Sequence, residues 1–155
     1  MIKILFVCHG NICRSPMAEF IFRKMLEDHG LSEQFTVKSS ATSSEEIYMG
    51  IGKPVYPPAK AELAKHGISC EGKTAVQLKK SDYAEFDLLI GMDSANIRNM
   101  HRICGGDPEG KIRKLMDYAG GGDVADPWYT DRFDVTYRDI EAGCRALLED
   151  IRKKI

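Results

Sequence analysis

Lys3-Ile4-Leu5-Phe6-Val7-Cys8-His9-Gly10-Asn11-Ile12-Cys13-Arg14-Ser15-Pro16 is the stretch on which the fold turns. Lys3 to Val7 is a β-branched and aromatic run that stops at Cys8. Ser15-Pro16 then opens a helical pattern, with Ser15 as an N-cap oxygen and Pro16 at the first helical position, where its missing N–H costs nothing. Met17, Phe20, Ile21 and Met25 recur at helical spacing, and Gly30 can close the helix in the left-handed region. The chain therefore begins strand, loop, helix.

Beyond Gly30 the alternation continues. Phe35 to Ser39 reads as a second strand, and the polar stretch Thr42 to Ser44 with the Gly/Pro-rich segment Gly50 to Pro58 reads as a surface loop. A helix from about Pro58 to His66 closes at Gly67. Asp87 to Met92 is a nearly continuous apolar run suited to a strand buried on both faces. Asp93 or Ser94 can cap the next helix, which stops at Gly105-Gly106, and Lys111 to Met116 supplies a fourth strand. Asp117 to Asp134, with Gly120-Gly121-Gly122 and Asp126-Pro127, reads as a long loop, and long loops inside compact domains are often functional. Ile140, Cys144, Leu147, Leu148, Ile151 and Ile155 form one stripe of a final helix. Strands alternating with helices make an α/β sandwich around a mostly parallel sheet.

The 155 residues suffice for one domain, and 43% hydrophobic content fills a single core. A formal net charge of −1, with the two signs interspersed, provides no field for nucleic acid or an anionic membrane surface. The apolar N-terminal stretch is too short for a signal-peptide core, and no run is long enough to span a bilayer. An odd count of five cysteines, Cys8, Cys13, Cys70, Cys104 and Cys144, argues for a reducing compartment rather than a disulfide framework. His66 with Cys70 and His101 with Cys104 fall short of the ligand count of a structural zinc site. The expectation is a cytoplasmic monomer without metal or cofactor.

Open parallel sheets bind ligands where strand ends meet helix starts, and Cys8 to Ser15 occupies such a junction. A tight loop there turns backbone N–H groups inward as an anion nest, and the helix behind it adds positive potential. Gly10 permits unusual dihedrals, and Asn11 tolerates a positive φ. Arg14 can hold two oxygens of one phosphate through its planar fork. Cys8 sits at the base of the nest, where a thiolate is stabilised and nucleophilic. Attack on phosphorus gives a phosphocysteine while the amides and Arg14 stabilise the equatorial oxygens. His9 either donates to the phosphate region or faces solvent. Cys13 either packs or captures an oxidised Cys8 as a disulfide. Ile12 presents an apolar surface to the entering group.

Cys8 and Arg14 with five residues between them, followed by Ser15-Pro16-Met17-Ala18-Glu19, and the distant Asp126-Pro127-Trp128-Tyr129 together resemble the low-molecular-weight protein tyrosine phosphatases. Ala41 and Met92-Asp93 are weaker matches. The resemblance spans essentially the whole chain. It implies a three-layer sandwich with a four-stranded parallel sheet, with Cys8 as nucleophile, Arg14 as phosphate clamp and Asp126 as general acid. It also implies that Asn11 holds the loop's shape and that the Ser15 hydroxyl eases departure of the thiolate. Protonating a phenolate leaving group is worth about 100-fold, which gives the Asp126 carboxyl its task. The expected substrate is a phosphotyrosyl protein or peptide. Trp128 and Tyr129 would wall a slot for the ring or anchor their loop, with Tyr48 or Met49 as the opposite wall, where the family often has tryptophan. The family's histidine contact to the loop asparagine has no clean match.

Three alternatives share parts of this pattern. Arsenate reductases need relay cysteines, for which Cys70 and Cys104 are widely separated. Related phosphoarginine phosphatases carry a small polar residue where Ile12 stands. A phosphocysteine carrier or phosphoanion-binding module would have no need of Asp126.

Overall fold

The computed structural model describes residues 1–154; Ile155, the last member of the C-terminal stripe, lies outside them. Strand β1 (Ile2–Cys8) is followed by α1 (Arg14–Asp28) and β2 (Phe35–Ala41). Next come the two-residue strands β3 (Ile47–Tyr48) and β4 (Ile51–Gly52), then α2 (Pro57–Lys65), α3 (Asp82–Glu85), β5 (Leu88–Gly91) and α4 (Ser94–Cys104). The chain ends with β6 (Ile112–Lys114), a 3-10 turn over Leu115–Ala119, α5 (Pro127–Thr130) and α6 (Phe133–Lys154).

The main sheet has four strands in the order β2-β1-β5-β6, every neighbouring pair parallel. Successive side chains of a strand point to opposite faces, and β1 spends both faces on core. Ile4, Phe6 and Cys8 join α1 and α6 in one cluster. Leu5 and Val7 face the other way, onto Tyr83 of α3 and Met100 and Cys104 of α4. This is the expected three-layer sandwich. Phe6, Phe22 and Phe35 stack edge to face, with centroids 5.7 and 6.1 Å apart. Full burial of each such ring contributes about 1.5–3 kcal/mol. Gly143 lets α6 approach the 115–119 turn, since a Cβ there would stand 2.6 Å from Leu115 Cγ.

Several boundaries differ from expectation. Helix α1 starts at Arg14, so Ser15 lies inside the helix and caps nothing; its hydroxyl is committed to the preceding loop. Pro16 still sits in the first turn, where no intrahelical N–H is needed. The expected surface loop after β2 contains the β3-β4 hairpin, turned by Met49 and Gly50 at φ of 51° and 79°. A hairpin this short has too little periodicity to register in sequence. The long loop from Asp117 is likewise interrupted by the 3-10 turn and by α5. Asp93 does cap α4, in a reciprocal capping box with Asn96. Among the described residues, no helix is long and apolar enough to cross a membrane.

Candidate functional site

Strand order reverses its direction of growth between β1 and β5: the chain first moves outward from β1 to β2, then returns to place β5 on β1's other side. Parallel sheets open a crevice at such a switch point, beyond the strand C-termini. Cys8 ends β1 and Asp93 follows β5, so the crevice brings their neighbourhoods together. A cleft of about 440 Å³ lies there. Cys8, His9, Gly10, Ile12, Cys13 and Arg14 form its floor, and Asp126, Trp128 and Tyr129 flank it.

Cys8 is 3% exposed. Its Sγ accepts from the Asn11 backbone N–H at 3.3 Å and lies 3.0 Å from Ser15 Oγ. An amide donor and a hydroxyl this close to the sulfur are contacts that a thiolate nucleophile would use. Asn11 takes the expected left-handed conformation at φ 58° and is 1% exposed. Its Nδ2 donates to Ser15 Oγ at 2.7 Å and to Ser39 Oγ at 3.0 Å, while Oδ1 accepts from the Val76 N–H at 3.0 Å. The asparagine thus fastens the loop to its own helix, to β2 and to the segment before α3. Gly10 serves differently from expectation. Its φ is not positive, but a Cβ would come within 3.2 Å of Glu46 Cγ, so glycine permits close packing of the loop on the Glu45-Glu46 segment.

Arg14 is 3% exposed and is aimed by three acceptors: Asp93 Oδ2 at 2.7 Å, the Val124 carbonyl at 3.1 Å and Asp126 Oδ2 at 3.5 Å. Burial alone would pull its pKa down, but the charges on Cys8, Asp93 and Asp126 hold it above the usual arginine value. It is a permanent cation. Losing Asp93 would leave that buried charge undercompensated, at a cost of about 3–5 kcal/mol. Asp126 caps α5 by accepting from the Trp128 N–H at 3.0 Å through Oδ1, leaving Oδ2 toward Arg14 and the cleft. Cys13 contrasts with Cys8: burial, with the nearby Cys8 and Asp126 charges adding to it, pushes its thiol up to about 12.

Trp128 and Tyr129 are 66% and 85% exposed and stand beside Asp126 at the cleft as walls rather than core anchors. Behind them Tyr56 packs on Trp128 at 6.0 Å and Phe133 at 6.1 Å, and its N–H donates to the Ile12 carbonyl at 2.8 Å. Tyr48 and Met49 do not line the cleft. They occupy the exposed tip of the β3-β4 hairpin, and the wall on that side is Glu45 and Glu46. His9 leans over the cleft to pair with Glu45 at 3.1 Å.

Asp93's grip on Arg14, the Ser39 contact and the Glu45-Glu46 wall had no separate signal in the sequence; only the Met92-Asp93 match pointed to one of them. All five cysteines are free and buried. Cys104 lies in the cluster across the sheet from Cys8, and Cys70 is absent from the cleft, so neither is set to relay a disulfide from it.

A model of the low molecular weight phosphotyrosine protein phosphatase family matches residues 3–155. The low molecular weight protein-tyrosine-phosphatase YfkJ of Bacillus subtilis is 38% identical, the match covering 99% of this chain and 98% of that one. The crystal structure of YfkJ superposes with a TM-score of 0.93 over 99% of this chain and 96% of the other. The human low molecular weight phosphotyrosine protein phosphatase is also 38% identical, over 95% of this chain and 94% of its own. The structure of YwlE arginine phosphatase with a phosphorylated active-site serine is similar at 27% identity and a TM-score of 0.85, covering 98% and 97% of the two chains.

Proposed function

The chain belongs to the low molecular weight phosphotyrosine protein phosphatase family, and from that premise we propose that it hydrolyses phosphotyrosine monoesters through a covalent intermediate on Cys8. The observation that carries this reading is the pairing, in one cleft, of a doubly hydrogen-bonded sulfur with a buried guanidinium whose partner carboxylates include Asp126. Phosphate seated over the loop meets Cys8 Sγ in line with its bridging oxygen. The sulfur attacks, the S–P bond forms and the P–O(aryl) bond breaks. Arg14 and the loop amides take up charge on the equatorial oxygens. Protonated Asp126 gives its proton to the departing phenolate. Its carboxylate then draws a proton from water, which displaces Cys8, and the Ser15 hydroxyl stabilises the leaving thiolate.

Ile12, Trp128 and Tyr129 give the entrance apolar and aromatic faces, which suit a phenyl ring better than a guanidino or short alkyl ester. Cys13, close enough to Cys8 for their charges to interact, is the candidate to resolve an oxidised nucleophile once its raised pKa is overcome. Five free cysteines support a reducing, cytoplasmic setting.

The test is kinetic. With an aryl phosphate, Asp126→Asn is expected to lose about 100-fold in kcat, and Cys8→Ser to lose all turnover while still binding orthovanadate. Unchanged hydrolysis in Asp126→Asn would favour a phosphocysteine carrier, and turnover in Cys8→Ser would remove the covalent mechanism. Phosphotyrosyl, phosphoarginyl and phosphoseryl peptides compared side by side, with arsenate reduction measured in parallel, settle the substrate class.

A further inference from the structure

Ser15, Glu19 and Arg23 lie four residues apart on one side of α1, the side that faces β2. Glu19 is 3% exposed, deep enough that its carboxylate must be paired. Ser39 Oγ donates to its Oε1 at 2.5 Å, and Arg23 Nη2 approaches Oε2 at 2.7 Å. Lys73 reaches in from the segment after α2: its Nζ donates to the Ser39 carbonyl at 3.0 Å and lies 3.7 Å from Glu19 Oε1. The Lys73 side chain is 11% exposed, against 47% for Arg23. Lys73 is therefore the buried counter-charge of Glu19, and Arg23 the solvated one.

From Glu19 the contacts run without a break to the sulfur: Ser39 Oγ, Asn11 Nδ2, Ser15 Oγ, Cys8 Sγ. An uncompensated carboxylate at one end of such a chain would oppose a thiolate at the other. We propose that Lys73 is a positioning residue for the hydrolytic reaction, neutralising Glu19 so that the Asn11-Ser15 network stays charge-balanced behind the Cys8 thiolate. The proposal rests on the reading of Cys8 as nucleophile. Three charged or titratable groups bear on the ammonium: Glu19 and Arg23 from α1, and Cys8 from the end of β1. Burial draws the Lys73 ammonium below the usual lysine range, with Glu19 pulling it back. The same segment sends the Val76 N–H to Asn11 Oδ1, while Lys73 holds the carbonyl of Ser39, whose hydroxyl accepts from Asn11 Nδ2.

The experiment compares the full chain with Lys73→Met, Lys73→Arg and the double variant Glu19→Gln/Lys73→Met. Iodoacetamide modification of Cys8 is followed from pH 5 to 9 by mass spectrometry of the Cys8 peptide, alongside kcat/KM for p-nitrophenyl phosphate. Removing a nearby cation disfavours the thiolate. Lys73→Met is therefore expected to alkylate roughly three- to tenfold more slowly at pH 6 and to converge on the native rate at pH 9. Lys73→Arg and the double variant should both stay within about twofold of the native rate at pH 6, since one keeps the charge and the other removes the need for it. Superposition of Lys73→Met on the native profile would overturn the proposal, as would a double variant as slow as Lys73→Met. The double variant and Lys73→Arg decide the matter if Lys73→Met fails to fold. Alkylation needs no turnover, so its failure refutes Lys73 alone, whereas hydrolysis by Cys8→Ser refutes the phosphatase mechanism beneath it.

Discussion

Cys8 and Cys13 are both buried at one cleft, but only the Cys8 sulfur has hydrogen-bond contacts, with the Asn11 N–H and the Ser15 hydroxyl. Cys13 is pushed up to about 12 by burial first and by the Cys8 charge second. At pH 7 to 8 a limiting amount of iodoacetamide is therefore expected to modify Cys8 well before Cys13, read by peptide mass spectrometry; equal labelling would contradict the assignment of the nucleophile. Cys8 and Arg14 stood out because they share one short loop motif, and Asp126 because it heads an Asp-Pro-Trp-Tyr motif. Ser39 and Lys73 did not, and Asp93 did only as a weak match without its role, because serine, lysine and aspartate are common and their roles depend on partners at 28, 54 and 79 positions' remove, taking Asn11, Glu19 and Arg14 as the partners. Tyr48 and Met49 were misplaced for a related reason: their position in the segment after β2 says nothing about which way a two-residue hairpin points them.

Elements succeeded in sequence where they were long, as α1 is, or amphipathic, as α4 and α6 are, and blurred where they were short. Strand β6 shows what holds a short one. Asp107, just before it, accepts from the Lys111 N–H at 2.7 Å, the Ile112 N–H at 3.2 Å and Tyr83 Oη at 2.6 Å. Burial alone would raise its pKa, but those three hydrogen bonds hold the carboxyl below the usual aspartate range. A carboxyl depressed on folding contributes stability above its unfolded pKa, near 4, and loses it as pH falls through the folded value. Asp107→Ala should thus lower the urea midpoint clearly at pH 7 and much less at pH 3. An equal drop at both would mean that packing, not the carboxylate, supports β6.

The two core clusters lie on opposite faces of a single sheet and share β1 and β5, so neither face can open without exposing the other. A single cooperative unfolding transition is expected of the whole chain, with far- and near-ultraviolet circular dichroism giving coincident midpoints in urea. Separated midpoints would divide it into two units. Trp128, 66% exposed at the cleft rim, is a poor reporter of that transition and a good one for ligands at the loop.

Taken alone, the order of residues determined the layered α/β class and the strand-loop-helix opening, and it marked the residues proposed as nucleophile, clamp and acid. Each of these is written in periodicity or in a contiguous motif, because a strand-to-helix turn and its backbone amides are local objects. The tertiary structure decided what surrounds them: which carboxylates grip Arg14, how Glu19 reaches the sulfur through Ser39 and Asn11, and which residues wall the cleft. Those facts arise from strands far apart in the chain being brought side by side at a switch in sheet order, and spacing along a polymer carries no record of which distant groups will share a crevice.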